Sequence, residues 1–135
     1  MAGDAIVGKD VADRSDHGMV PRVTFTDPQI AAVGLTEAEA REAGITVDAV
    51  AARLGDVAGA STSGRDITGT GKLVIDRDRP VLVGATFTGP GIHELLHSAT
   101  IAIVGEVDLD RLAHAVPSFP TLSEVWLKLL EAYGL

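Results

Sequence analysis

Two imidazoles, His93 and His97, flank a carboxylate in the run His93-Glu94-Leu95-Leu96-His97. On a helix this spacing aims both rings to one side, where they could hold Zn²⁺ while Glu94 serves as general base. A zinc-dependent hydrolase using His93, Glu94 and His97 is therefore one reading of the chain. It needs a third ligand, and neither His114 nor a distant carboxylate stands at a recognisable spacing. The competing reading places the three side chains on the polar face of an amphipathic helix. It is preferred, because short motif matches arise often by chance.

Other chemistry is thinner. Gly69-Thr70-Gly71-Lys72 hints at a phosphate loop, but Asp66 stands where such a loop needs glycine and Leu73 where it needs Ser or Thr. A strand is also read where the loop would need a helix. No GxGxxG follows a strand, so the chain carries no dinucleotide fingerprint of its own. Nothing resembles GxSxG, which leaves the scattered Ser and His as surface residues. The absence of cysteine removes disulfides, thiolate metal sites and a redox dithiol. Nineteen acidic against 11 basic residues give a net charge of −8, which argues against a nucleic-acid partner. No apolar run approaches a membrane span and no export leader is read, so a soluble, cytoplasmic protein is expected.

The 135 residues suit one domain, and 46% apolar content suffices for a core. Residues 1–18 are polar and aperiodic and read as a linker, with the domain proper over 19–135. Pro21, Val23 and Phe25 alternate with polar residues as in a half-buried strand. Asp27-Pro28-Gln29 forms a turn, and Ile30 to Leu35 a return strand. Thr36-Glu37-Ala38-Glu39 is a capping box that opens a short helix ending at Gly44. Ile45, Val47, Ala49 and Ala51 suggest a further strand. The Gly-, Ser- and Thr-rich stretch from Gly55 to Gly71 is read as a mobile loop. Lys72–Asp76 and Val81–Thr88 make an antiparallel hairpin.

A helix after Gly91 presents Ile92, Leu95, Leu96, Ala99, Ala102 and Ile103 as one stripe. A last helix opens at Thr121-Leu122-Ser123-Glu124, a second capping box. Its Leu122, Val125, Trp126, Leu129, Leu130 and Tyr133 form an apolar face that must pack on its own sheet, a partner chain, or both. The architecture expected is α+β: a mainly antiparallel sheet of about five strands covered by helices.

Three stretches carry a family resemblance. Val20-Pro21-Arg22-Val23-Thr24-Phe25-Thr26-Asp27-Pro28 through Val33-Gly34-Leu35-Thr36-Glu37 resembles the opening of the C-terminal dimerisation domain of the pyridine nucleotide–disulfide oxidoreductases. That family includes dihydrolipoamide dehydrogenase, mercuric reductase and glutathione reductase. Gly71-Lys72-Leu73-Val74, Val83-Gly84-Ala85, Gly89-Pro90 and Glu94-Leu95-Leu96 are similar to its second signature. Pro120-Thr121-Leu122-Ser123-Glu124 is similar to its third. Ala5-Ile6-Val7-Gly8 resembles the end of the preceding FAD-domain helix, which makes residues 1–18 a remnant of that domain.

The resemblance implies a parent that uses FAD and NAD(P), with this piece forming the homodimer. It also implies contact with the parent's FAD and nicotinamide domains. The isolated chain would bind no cofactor and show no activity alone. Phe119 and Pro120 would contact the partner subunit's flavin. A family His precedes the proline and acts as acid/base for thiols, oriented by the residue matching Glu124. Here Phe119 stands at that place, and phenylalanine moves no proton. Glu124, the remaining catalytic candidate, is then left chiefly to the capping box. A parent that passes electrons to a quinone or similar acceptor is favoured over one in which His114 substitutes. The resemblance also implies a cis bond at Phe119–Pro120.

Overall fold

The computed structural model describes residues 2–9 and 19–135, so residues 10–18 of the expected linker lie outside the described part. A short helix α1 (Ala2–Ile6) occupies the start of that stretch. Five strands follow: β1 (Arg22–Thr24), β2 (Gln29–Gly34), β3 (Val47–Arg53), β4 (Thr70–Asp76) and β5 (Val81–Gly89). They form one sheet in the order β1-β2-β5-β4-β3, antiparallel at every junction. The α+β architecture expected from the sequence is the one observed.

Period-2 alternation sends one row of side chains to the core, and the register shows which. Val23, Ala31, Phe87, Gly71 and Ala52 stand opposite one another across all five strands. Val33, Ala85, Leu73 and Val50 make the next row on the same face. Helix α4 (Ile92–Val104) covers this face over β2 and β5, and α6 (Val125–Tyr133) covers it over β3 and β4. The α4 stripe read from the sequence is buried throughout. Phe87 and Leu129 are wholly buried where α6 meets the sheet, each stabilising by roughly 1.5–3 kcal/mol. Gly71 makes room for both. A Cβ there would stand 3.1 Å from Leu129 Cδ1 and from Phe87 Cε1.

Helix α2 (Glu37–Glu42) begins at the expected capping box. Thr36 N–H donates to Glu39 Oε2 at 2.7 Å and Glu39 N–H to Thr36 Oγ1 at 3.2 Å. Those hydrogen bonds hold the Glu39 carboxyl below its ordinary value.

Several expectations need correction. The 55–71 stretch contains structure: a 3₁₀ turn at Leu54–Asp56 and helix α3 (Ala58–Ser63). Leu54, Val57 and Ala60, three apart, anchor it in the core. Their glycine- and serine-rich surroundings obscured that spacing. In β3 the core-facing residues are Val50 and Ala52, whereas Ala49 and Ala51 are exposed. β3 is an edge strand, and small residues on both faces left its register undetermined by pattern alone. Phe25 lies beyond β1 and is largely exposed, its ring centroid 5.7 Å from that of His93. A five-residue helix, α5 (Leu109–Ala113), was not anticipated. Asp108 caps it by accepting from Asp110 N–H at 2.9 Å. The α6 face packs within the chain, the first of the homes its spacing left open: Val125, Trp126, Leu129 and Leu130 are buried against the chain's own core.

The β4–β5 turn is tied down by one buried carboxylate. Asp76, 5% exposed, accepts from Asp78 N–H at 2.9 Å and from Arg79 Nε at 2.8 Å. Arg79 also reaches Glu106 at 3.1 Å, joining the turn to the end of α4. The Arg79 hydrogen bond holds the Asp76 carboxyl below the usual range, against the opposing pull of burial.

Candidate functional site: the Phe119–Pro120 corner

The segment between α5 and α6 carries the residues that the sequence singled out, and its shape follows from a few polar contacts. The Phe119–Pro120 peptide bond is cis, as is Asp27–Pro28. Thr121 Oγ1 donates to Ser118 O at 2.6 Å, closing a small loop around the proline. Glu124 Oε1 then accepts from Thr121 N–H at 2.8 Å, the contact a capping box requires.

The same oxygen accepts a second hydrogen bond, from Gly59 N–H in α3 at 3.1 Å. Bonds to a charged acceptor are stronger than neutral ones. Glu124 is therefore a clamp between two segments 65 residues apart in sequence. Gly59 makes the approach possible. A Cβ there would fall 1.9 Å from the Thr121 carbonyl carbon. Nothing in the sequence pointed to Gly59. A glycine in a glycine-rich stretch carries no mark of a close approach to a distant backbone.

Phe119 stands at the tip of the corner, 78% exposed, with Val116 comparably open. The outer stripe of α4 becomes apolar toward its end: Ile101 is 56% and Val104 58% exposed. No charged residue occurs from Ser98 to Gly105. A surface helix ordinarily turns polar side chains to water on this stripe. Between α4, α5, the corner and α6 lies a half-open hollow of about 380 Å³.

The other singled-out residues sit elsewhere. His114 is exposed at the C-terminal end of α5, its N–H bonded to Arg111 O, and makes no side-chain hydrogen bond to Glu124. His93 lies on the first turn of α4, with Nδ1 2.9 Å from Gln29 Oε1 and Nε2 3.4 Å from Glu94 Oε1. His97 is exposed. No group of three His, Asp or Glu among the described residues is placed to hold a metal ion. Gly71 and Lys72 belong to β4, so the glycines before Lys72 do not form a strand-to-helix phosphate cradle. No helix among the described residues is long and apolar enough to cross a membrane.

Comparison with known proteins agrees with this geometry. Residues 20–130 match the family described as the pyridine nucleotide-disulphide oxidoreductase dimerisation domain. Dihydrolipoyl dehydrogenase of Mycobacterium leprae is 38% identical over 125 residues, 92% of this chain and 26% of that protein. Mercuric reductase of Streptomyces lividans is 38% identical over 121 residues, 89% of this chain and 25% of that one. Among solved structures, an HOCl-induced flavoprotein disulfide reductase from Escherichia coli superposes with a TM-score of 0.84 at 23% identity, covering 96% of this chain and 30% of that chain. An NAD-dependent persulfide reductase from A. fulgidus gives 0.77 at 22%, covering 97% and 25%. The chain thus spans about a quarter of the curated relatives it matches. It belongs to the dimerisation-domain family of the pyridine nucleotide–disulfide oxidoreductases.

Proposed function

We propose that the chain pairs with a second copy of itself as the C-terminal part of an FAD- and NAD(P)-dependent oxidoreductase, and that it presents the Phe119–Pro120 corner to the partner's flavin. The observation that carries this reading is the uncharged, apolar outer stripe of α4, together with the exposed Val116 and Phe119. Isolated, this stripe puts Ile101 and Val104 into water; a two-fold copy laid across it would bury them on both sides. Residues 1–18 are then the connection from the FAD domain, and the assembled enzyme is cytoplasmic.

In such an enzyme, flavin carries reducing equivalents from a nicotinamide to an acceptor. What this chain contributes is position and exclusion. Glu124 fixes the corner through Thr121 and Gly59. Phe119 offers an apolar ring that can cover a cofactor face but neither accepts nor donates a proton. With Glu124 engaged in the clamp, no acid/base pair stands at the corner. That favours an acceptor needing no thiol protonation there, such as a quinone.

The experiment is sedimentation velocity over a dilution series, on the natural chain and on Ile101→Asp. A concentration-dependent dimer that the substitution weakens at least about tenfold supports the reading, since a buried unpaired charge is strongly unfavourable at an interface. A chain that stays monomeric at its highest soluble concentration overturns it.

A further inference from the structure

The two free edges of the sheet are built differently. β1 is three residues long, follows Pro21 and carries the exposed Arg22, features that discourage a further strand. β3 runs for seven residues without proline or lysine, and its register against β4 is unbroken. Its main neighbours are β4 beside it, α6 over its core face and α2 over the other, where Glu37 reaches Lys72 at 3.1 Å. Hydrogen bonds at its two ends fix which way each backbone group points: Arg77 N–H donates to Thr46 O, and Leu54 N–H to Gly69 O. Bonded pairs alternate in an antiparallel ladder, so Asp48, Val50 and Ala52 turn their N–H and C=O to β4. Those of Val47, Ala49, Ala51 and Arg53 point away from the sheet, and no hydrogen bond among the described residues engages them. The strand's charges do not guard this edge. Asp48 is paired with Arg77 at 3.3 Å and Arg53 with Asp56 at 4.0 Å.

We infer that β3 is a docking edge for β3 of a second copy, joined antiparallel about a two-fold axis through Val50. The geometry selects this occupant. A partner must be an extended strand with a free edge of its own, and must set small side chains against the exposed Ala49 and Ala51. The same strand of another copy does both. One register alone sets every outward residue opposite an outward residue: Val47 against Arg53 of the second copy, Ala49 against its Ala51, and Val50 against its Val50. No like charges then oppose, because Asp48 falls opposite Ala52. In-register parallel pairing would align Asp48 with Asp48 and Arg53 with Arg53, which is unfavourable. The edge is separate from the α4 stripe, since α4 lies over β2 and β5 and β3 is beyond β4. Copies paired through α4 can therefore also join edge to edge. A single strand pair is a small contact, so this association is weak and is read at high protein concentration.

Hydrogen exchange reads the alternation residue by residue. In dilute protein the amides of Val47, Ala49, Ala51 and Arg53 should exchange fast, while those of Asp48, Val50 and Ala52 exchange slowly. Raising the concentration to the solubility limit should slow the first set at least about tenfold. The chain has no cysteine, so one introduced thiol reports the contact. Val50→Cys brings two thiols to facing positions with Cα atoms about 4.5 Å apart, within disulfide reach. Under oxidised glutathione it should cross-link at least about tenfold more than Ala38→Cys, an exposed position on α2. Ala51→Pro removes only an outward N–H, a change an edge strand tolerates, and Ala49→Lys places a charge on the edge. Added to either measurement, each should abolish the signal while the circular dichroism spectrum stays unchanged. Ile101→Asp should leave both signals in place. Exchange that ignores concentration, Val50→Cys cross-linking no better than Ala38→Cys, or signals that survive both edge variants would each overturn the pairing. So would protection of the four amides at every dilution, which gives the edge to the chain itself. Loss of both signals in Ile101→Asp would likewise overturn it, because the contact would then belong to α4.

Discussion

Substituting Gly59 by alanine is the sharpest probe of how the corner is held. The new Cβ would lie 1.9 Å from the Thr121 carbonyl carbon and 2.1 Å from its oxygen, all backbone atoms that cannot rotate away. Carbon atoms pack comfortably at about 3.5–4.0 Å, so α3 must retreat by roughly 1.5–2 Å. That retreat stretches the Gly59 N–H to Glu124 contact from 3.1 Å beyond hydrogen-bonding range. Overpacking alone costs about 1–3 kcal/mol. Losing a bond to a charged acceptor costs about 1.5–3 kcal/mol more. A total near 3–5 kcal/mol lowers the melting temperature by about 10–20 °C for a domain of this size.

Thermal unfolding followed by circular dichroism, with urea unfolding as a second measure, reads this out. Glu124→Gln should lose less, about 1–2 kcal/mol, because the amide oxygen still accepts while the charge is gone. The two substitutions remove one shared contact, so the double variant should fall short of the additive value. Gly3→Ala, where a Cβ meets open space, is the control and should be neutral. A Gly59→Ala protein that melts within about 2 °C of the natural chain would refute the clamp.

Other substitutions address the core, the acid limb and the surface. Leu129→Ala, at a wholly buried position against Phe87, should destabilise by about 2–5 kcal/mol in urea unfolding. Asp76 has a folded-state pKa under the ordinary 3.8, so the unfolded form binds more protons in acid. Its contribution is complete above the unfolded value and is lost as pH falls through the folded one. Asp76→Asn should therefore be destabilised at neutral pH by about 1.5–3 kcal/mol, and its stability should fall less than that of the natural chain on acidification below pH about 4. Phe119→Ala should leave the melting temperature unchanged, since an exposed side chain contributes within about 0.5 kcal/mol. If it melts much lower, the corner is packed in the chain itself rather than held open.

Legibility in the sequence tracked the range of the interactions. The α4 stripe and the capping box at Thr36 are local patterns within a few residues, and both are found where they were read. The β4–β5 hairpin was equally plain, because its turn is short. The 55–71 stretch hid α3, since its helix is held by Leu54, Val57 and Ala60 sinking into the core rather than by propensity. The double use of Glu124 joins residues 59 and 124 and leaves no local signature. The α6 stripe showed the opposite problem. Its apolar spacing was read correctly, but pattern alone does not say whether the facing surface is the chain's own sheet or another copy. The exposed Ile101 and Val104 escaped notice because the buried stripe of the same helix carried the stronger periodicity.

Mixing ¹³C-labelled with unlabelled chain and recording isotope-filtered NOEs puts the paired surface to the most direct trial. Cross-peaks from one copy to the other at the Ile101 and Val104 methyls are expected, lost on Ile101→Asp. Their absence in a sample concentrated to the solubility limit, or contacts found instead at Phe25 and Ile30, would contradict pairing through α4.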